Sequence, residues 1–102
     1  MANYAENDII VVFKEGVTPQ EKRAFINDFL DEISDAYYRA DFETDIEDPN
    51  INSIELSFES RWTAPKDELA VLCDRHKCSI YGVAHEWGCL YVDSYELTPL
   101  TN

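Results

Sequence analysis

Positively charged residues are scarce in this 102-residue chain, which has eight Lys and Arg against 21 Asp and Glu and a net charge of −13. Eleven of the acids fall between Asp28 and Glu59, where Arg39 is the single base. A field of this sign repels nucleic acid and acidic membranes and attracts basic proteins. We therefore expect the chain to bind neither nucleic acid nor a membrane directly, and to have a basic protein as its partner.

Long apolar runs and an export signal are also missing. No stretch approaches the ~20 apolar residues of a membrane span, and the first residues lack the basic region and apolar run of a signal peptide. The three cysteines, Cys73, Cys78 and Cys89, do not have the spacing of a disulfide framework. These absences predict free thiols and a reducing, cytoplasmic setting.

Familiar catalytic motifs are absent as well. The sequence has no Gly-rich phosphate loop, no serine elbow and no metalloprotease helix. Cys89 lies near His85 and Glu86, but no orienting network or oxyanion loop accompanies this set. We therefore predict a non-enzymatic protein with no catalytic residue and no cofactor.

Two sets of residues resemble parts of metal sites. The acids from Asp41 to Glu47 occupy every second position, as in the start of a calcium loop, but the central glycine and the bidentate glutamate are missing. The other set lacks the compact Cys-x-x-Cys and His-x-x-x-His spacings of zinc sites. Its members are Cys73, His76, Cys78, His85 and Cys89. We expect no metal at either place.

The chain does have enough apolar residues for a core. Hydrophobic residues make up 45% and aromatic residues 13% of the chain, which is too apolar for a disordered acidic tail. The length supports one domain with one modest core. We predict a single acidic α+β domain over residues 1–102, with a loose tail from residue 96 to residue 102.

Periodic patterns predict the helices and strands. A Thr-Pro-x-Glu sequence at residues 18–21 predicts a capped helix start. Apolar residues at spacing four predict that this helix runs to about Tyr38, and a second, shorter helix opens after Trp62. Apolar runs and alternations predict strands at residues 8–13, 51–59, 78–87 and 90–95, with an optional edge strand near residues 42–46.

This order of elements predicts the fold class. Two helices on one face of a four- to five-stranded antiparallel or mixed sheet bury their apolar sides most economically. We therefore predict an α+β two-layer sandwich of the ferredoxin-like type.

The acidic segment has a spacing that a merely solubilising surface does not need. In an extended chain the carboxylates from Asp41 to Glu47 would lie roughly 6.6 Å apart on one side, similar to the phosphates of one nucleic-acid strand. On the first helix, acids crowd the C-terminal half, where the helix dipole disfavours them. We predict a phosphate-mimicking, partner-binding surface; the plain alternative is a solvated face. The predicted residues are Asp28, Asp31, Glu32, Asp35, Asp41, Glu43, Asp45, Glu47 and Asp48.

Aromatic residues in the last two predicted strands offer a second candidate surface. The opposite faces of these strands are also apolar, so periodicity does not tell which face the helices cover. If the aromatic face is open, it is a surface for a dimer or a partner. Its members are Tyr81, Trp87, Tyr91 and Tyr95.

The second half of the chain carries a group of local motifs. They are the aromatic strand Ser57–Ser60, the Trp62–Pro65 helix opening, the helix with Leu69 and Leu72 that ends at His76, and the Glu86–Gly88 hairpin. Together they resemble the ferredoxin-fold domain of YubB-type proteins, which plasmids and phages carry. That family has no settled activity, so the resemblance implies a fold and an origin in a mobile element but no catalytic residue.

Two hypotheses of function follow. In the leading one, the chain is an acidic inhibitor or decoy that blocks the nucleic-acid-binding site of a basic host protein, such as a CRISPR effector or a restriction system, in the host cytoplasm. In the alternative, it is a structural or regulatory module that dimerises through the Tyr/Trp face, and its acidity serves solubility. The chain would accordingly be a monomer or a homodimer.

Overall fold

A computed structural model describes most of the chain. The described residues are 4–33, 37–42, 45–61, 63–86, 88 and 91–99, with the backbone alone for 37–42 and 61. Along the chain, the elements are β1 (Tyr4–Val12), α1 (Pro19–Glu32), β2 (Tyr37–Phe42), β3 (Ser53–Arg61), α2 (Lys66–His76), β4 (Ser79–Glu86) and β5 (Tyr91–Leu97).

All five strands belong to one antiparallel sheet in the order β2-β3-β1-β4-β5. The first four strands have the ferredoxin-like arrangement, in which β1 and β3 are central and each helix connects two strands that flank a third. The strand β5 extends this sheet by a hairpin from β4, with Glu86 opposite Tyr91. The predicted fold class is confirmed.

Both helices pack on the same face of the sheet. Phe25 and Phe29 of α1 and Leu69 and Leu72 of α2 are buried in a single core with the apolar side chains of the strands. The ring of Phe29 meets that of Phe58 edge to face, with centroids 5.2 Å apart. The core side chains of the strands alternate with exposed ones, so the second face of the sheet is the outer surface.

The first helix begins as predicted and ends earlier. Thr18 caps it, and the reciprocal bonds of a capping box join Thr18 to Glu21. The helix ends at Glu32 with Ile33 as its C-cap, so the predicted extension to Tyr38 is wrong. Ile33 completes the buried side of the helix, whereas Tyr37 begins β2 and pairs with Ser60. Pairing with the sheet overrides the spacing-four pattern here.

The C-terminal part of the chain is more ordered than the predicted tail. Glu96 and Leu97 belong to β5, and Leu97 pairs with Ile80 and packs against the core. The prediction of a loose tail from residue 96 is therefore wrong for its first two residues. The apolar side chain of Leu97 continues the alternation of β5, which explains why the strand extends this far.

Candidate functional site

The predicted acidic segment does not form one surface. Asp28, Asp31 and Glu32 lie on α1, in the helix layer. Asp45, Glu47 and Asp48 lie in the loop before β3. Glu55 and Glu59 lie on the opposite, outer face of the sheet. Asp35 and Glu43 are outside the described residues. Asp41 lies in β2, where only the backbone is described.

Two of the helix acids have partners on the neighbouring helix. Both carboxylate oxygens of Asp28 accept hydrogen bonds from Nη1 of Arg75, at 2.7 and 2.8 Å, and Nε2 of His76 lies 2.7 Å from Oδ2. Glu32 is 3.5 Å from the same Arg75 nitrogen. Burial alone would raise the pKa of Asp28, but bonding to Arg75 and His76 outweighs it and holds the pKa below its ordinary value of 3.8. These acids join the helices, which accounts for their place at the unfavourable end of the dipole.

The loop acids also bond within the fold. Asp45 Oδ1 accepts from the backbone N–H of Glu47 at 3.1 Å, and Asp48 Oδ1 accepts from that of Asn50 at 2.9 Å. The backbone N–H of Asp48 bonds to the carbonyl of Asp45, which closes a turn. The predicted extended ladder from Asp41 to Glu47 is therefore wrong over its last part, Asp45–Glu47. Aspartate side chains stabilise turns by bonding to nearby backbone, and that preference prevails here.

A buried lysine holds this loop on the helix layer. Lys22 is fully buried, and its Nζ donates to the backbone carbonyls of Asp48 and Ile51 at 2.7 and 2.6 Å. Arg23, the next residue on α1, forms an ion pair with Glu47. The loop is thus attached to α1 by two bases, through two backbone carbonyls and the Glu47 carboxylate.

The outer face of the sheet, called the open face from here on, gathers acids from distant parts of the chain. Its described side chains include five carboxylates and no Lys or Arg. The carboxylates belong to Glu6, Asp8, Glu55, Glu59 and Glu96. Within the described part of the chain, no helix or loop packs on this face. The strand pairing places three rows across β3, β1, β4 and β5. They are Glu59-Glu6-His85-Val92, Ser57-Asp8-Val83-Ser94 and Glu55-Ile10-Tyr81-Glu96.

Large apolar side chains lie among these acids. Their exposed fractions are 42% for Ile10, 43% for Tyr81, 46% for Val83 and 63% for Val92. The centre of the face is a depression of about 480 Å³. Apolar surface with an acidic border is the arrangement expected of a binding surface for a basic, partly apolar partner.

The predicted Tyr/Trp face is divided between the two sides of the sheet. Tyr81 is on the open face, whereas Tyr95 lies opposite Gly82 and turns toward the helices, where its hydroxyl donates to Asn7 Oδ1 at 3.2 Å. Tyr91 is on the same side as Tyr95, and its hydroxyl accepts from the backbone N–H of Ala64. The single aromatic face is therefore wrong, and Trp87 lies outside the described residues. The hairpin register sets this division, because opposite residues share a side.

The described sulfur and imidazole groups have contacts within the fold. Cys73 and Cys78 are buried free thiols near the end of α2. Hydrogen bonding with Cys73, together with burial, raises the pKa of Cys78. His85 Nε2 lies 3.0 Å from Glu6 on the open face. In the part of the chain that the structure covers, no three His, Cys, Asp or Glu residues cluster as metal ligands would. Cys89 is outside that part.

Comparison with known proteins finds no significant match to any family model, curated protein or solved structure. The resemblance to YubB-type proteins therefore stays a prediction. Neither of the two helices is long and apolar enough to cross a membrane, within the residues that the structure describes.

Proposed function

We propose that the protein is a non-enzymatic inhibitor or decoy, which binds a basic host protein and blocks its nucleic-acid-binding site. The observation that supports this most is the open face, with five carboxylates and no described Lys or Arg around an exposed apolar centre. A basic nucleic-acid-binding surface is the complement of such a face.

The mechanism would be steric and electrostatic. Glu6 and Asp8 are two residues apart on β1, so their carboxylates project from the same side about 6.6 Å apart. Spaced negative charges of this kind substitute for phosphates, and the net charge of −13 steers the encounter at long range. Binding should weaken as salt rises, because salt screens exposed charges.

The proposal moves the contact surface away from much of the predicted acidic segment. Asp28 and Glu32 serve the contact between helices, and Asp45, Glu47 and Asp48 stabilise the loop. Partner binding through these residues stays a prediction. It is the alternative to partner binding through the open face.

We propose a class of host target and no individual protein. A CRISPR effector or a restriction system fits, since both hold nucleic acid in basic channels, and the resemblance to mobile-element proteins makes the host cytoplasm the place of action. A defence target is the reason a mobile element would carry such a chain.

Dimerisation through the open face is the second candidate, because Ile10, Tyr81, Val83 and Val92 expose apolar surface there. A homodimer would bring ten carboxylates together, and like charges across an interface cost several kcal/mol. High salt would favour such a dimer and weaken binding to a basic partner. The sign of the salt dependence therefore separates the two candidates.

The test is capture of host proteins on the immobilised chain at low and high salt, followed by elution with duplex DNA. We expect a nucleic-acid-binding protein that is captured at low salt, lost at high salt and displaced by DNA. Capture of proteins that DNA does not displace, at either salt concentration, would contradict the decoy mechanism.

A further inference from the structure

The depression at the centre of the open face has a composition of its own. The lining of its volume of about 480 Å³ includes two open-face residues from each of three neighbouring strands. They are Glu55 and Ser57 of β3, Asp8 and Ile10 of β1, and Tyr81 and Val83 of β4. Three neighbouring strands span roughly 10 Å.

One side of the depression is apolar. Ile10 and Val83 project aliphatic groups, and Tyr81 adds an aromatic ring beside Ile10 in the same row. Each of these side chains is more than 40% exposed, so folding leaves this surface in water. An apolar surface of this size gains free energy when a partner covers it.

The other side of the depression is anionic. Asp8 lies opposite Ser57, and Glu55 lies opposite Ile10, so the two carboxylates occupy diagonal positions on adjacent strands. Diagonal neighbours of this kind are roughly 7–8 Å apart. The Ser57 hydroxyl donates to Asp8 Oδ1 at 2.6 Å, which orients that carboxylate. A carboxylate accepts more than one hydrogen bond, so Asp8 can also accept from a ligand.

We infer that this depression binds an arginine side chain of the basic partner. The inference rests on the proposed function and narrows it to one anchoring residue type. An arginine has an aliphatic stem for Ile10 and Val83 and a planar guanidinium for the carboxylates. The guanidinium also stacks on an aromatic ring, which Tyr81 offers.

Lysine fits the same place less well. Its ammonium is compact and strongly hydrated, and it lacks the planar fork that bridges separated acceptors. Its ammonium would pair with the carboxylates of Asp8 and Glu55 but would interact less with the ring of Tyr81. The depression should therefore distinguish arginine from lysine at equal charge, which a plain acidic surface would not do.

The test is an NMR titration of the isotopically labelled chain with two peptides of nine residues, one of arginine and one of lysine. We expect the arginine peptide to shift the amide signals of Ile10, Tyr81 and Val83 and to bind more tightly than the lysine peptide. Replacing Tyr81 with Leu should weaken binding of the arginine peptide by roughly two- to fivefold, the range of an exposed cation–π contact. It should leave binding of the lysine peptide almost unchanged.

A matched pair of variants controls for lost apolar surface. Val83→Ala lies in the depression, whereas Val71→Ala removes the same atoms from an exposed position on α2. We expect Val83→Ala to bind the arginine peptide more weakly than the unchanged chain does. We expect Val71→Ala to bind it as the unchanged chain does. Amide spectra and unfolding midpoints like those of the unchanged chain establish that each variant is folded.

Other outcomes would overturn the inference in distinguishable ways. If both peptides bind alike and Tyr81→Leu has no effect, the arginine site is wrong while electrostatic partner binding stands. If neither peptide shifts the open face and its acids do not affect partner capture, both proposals are wrong. If the signals of the open face depend on protein concentration without peptide, a second copy of the chain is the occupant.

Discussion

Replacing Gly82 with Ala tests the side assignment of the last two strands. A Cβ at this position would lie 2.4 Å from Cζ, 2.6 Å from Cε2 and 2.7 Å from the hydroxyl oxygen of Tyr95. These separations are far below van der Waals contact, so the ring must move. The hydroxyl would then lose its bond to Asn7.

The expected loss of stability combines two effects. Forcing an extra carbon into a packed site costs about 1–3 kcal/mol, and losing a buried hydrogen bond adds about 1 kcal/mol. We therefore expect Gly82→Ala to lower the free energy of unfolding by roughly 2–4 kcal/mol, measured by urea denaturation. The variant Gly88→Ala is the control, since among the described residues its Cβ would meet the end of the flexible Glu86 side chain, at 2.9 Å.

A double variant isolates the contact between the two residues. With Tyr95 replaced by Leu, the space above Gly82 opens, and adding Gly82→Ala should then cost much less than it does alone. If Gly82→Ala is as stable as the unchanged chain, Tyr95 does not lie over Gly82. The division of the tyrosines between the two faces would then be incorrect.

Two further predictions concern the contacts of Lys22 and Asp28, and a third concerns metal. Lys22→Met should destabilise the chain by about 1–3 kcal/mol in urea denaturation, because two partly buried carbonyls lose their donor. Unchanged stability would contradict the role given to the Lys22 hydrogen bonds. Asp28→Asn should destabilise by about 1 kcal/mol at pH 7. The difference should shrink as pH falls below about 4, since the stability from a lowered pKa is complete above the unfolded pKa and is lost as pH falls through the folded one. A difference that does not shrink at all below pH 4 would count against the ion pair. Chelator should leave the melting temperature unchanged, and a large drop would reveal a structural metal.

The sequence predicts the layers of this fold better than its faces. The β-branched run after Asp8 indicates a buried central strand, and the alternation around Ile54, Leu56 and Phe58 indicates a half-exposed one. The second is confirmed, whereas β1 is central but not buried on both sides, since Ile10 is 42% exposed. The end of α1 is missed because Tyr37 continues the helical spacing although it pairs with the sheet. Local periodicity carries no information about which distant strand a segment joins.

The open face could be predicted only in part. Glu6 and Asp8 share a side of β1, and Glu55 and Glu59 share a side of β3, as a period of two requires. What brings them together is the pairing of β1 with β3, which joins residues about fifty positions apart. The sequence instead draws attention to acids that are neighbours along the chain, and folding separates these.

Lys22 was missed for a related reason. It shares the buried side of α1 with Phe25 and Phe29, at spacings of three and seven, so helical spacing already places it inward. A lysine at such a position signals a buried acceptor, and here the acceptors are backbone carbonyls of a loop more than twenty residues away. Carbonyl acceptors leave no trace in the sequence.

The measurement that tests the central claim most directly compares two triple charge reversals in binding to the captured host partner. One variant replaces Asp8, Glu55 and Glu96 of the open face with Lys, and the other replaces Asp31, Asp45 and Glu47 of the predicted acidic segment with Lys. Both change the net charge of −13 by the same amount, so a difference in binding between them does not come from net charge.

We expect the open-face variant to bind more than tenfold more weakly, mainly through a slower association rate, and the other variant to bind within about threefold of the unchanged chain. Tenfold corresponds to about 1.4 kcal/mol, which three reversed charges against a basic surface should exceed. If the open-face variant binds like the unchanged chain while the other loses binding, the partner surface lies on α1 and its adjoining loop, and the account given for the open face is wrong.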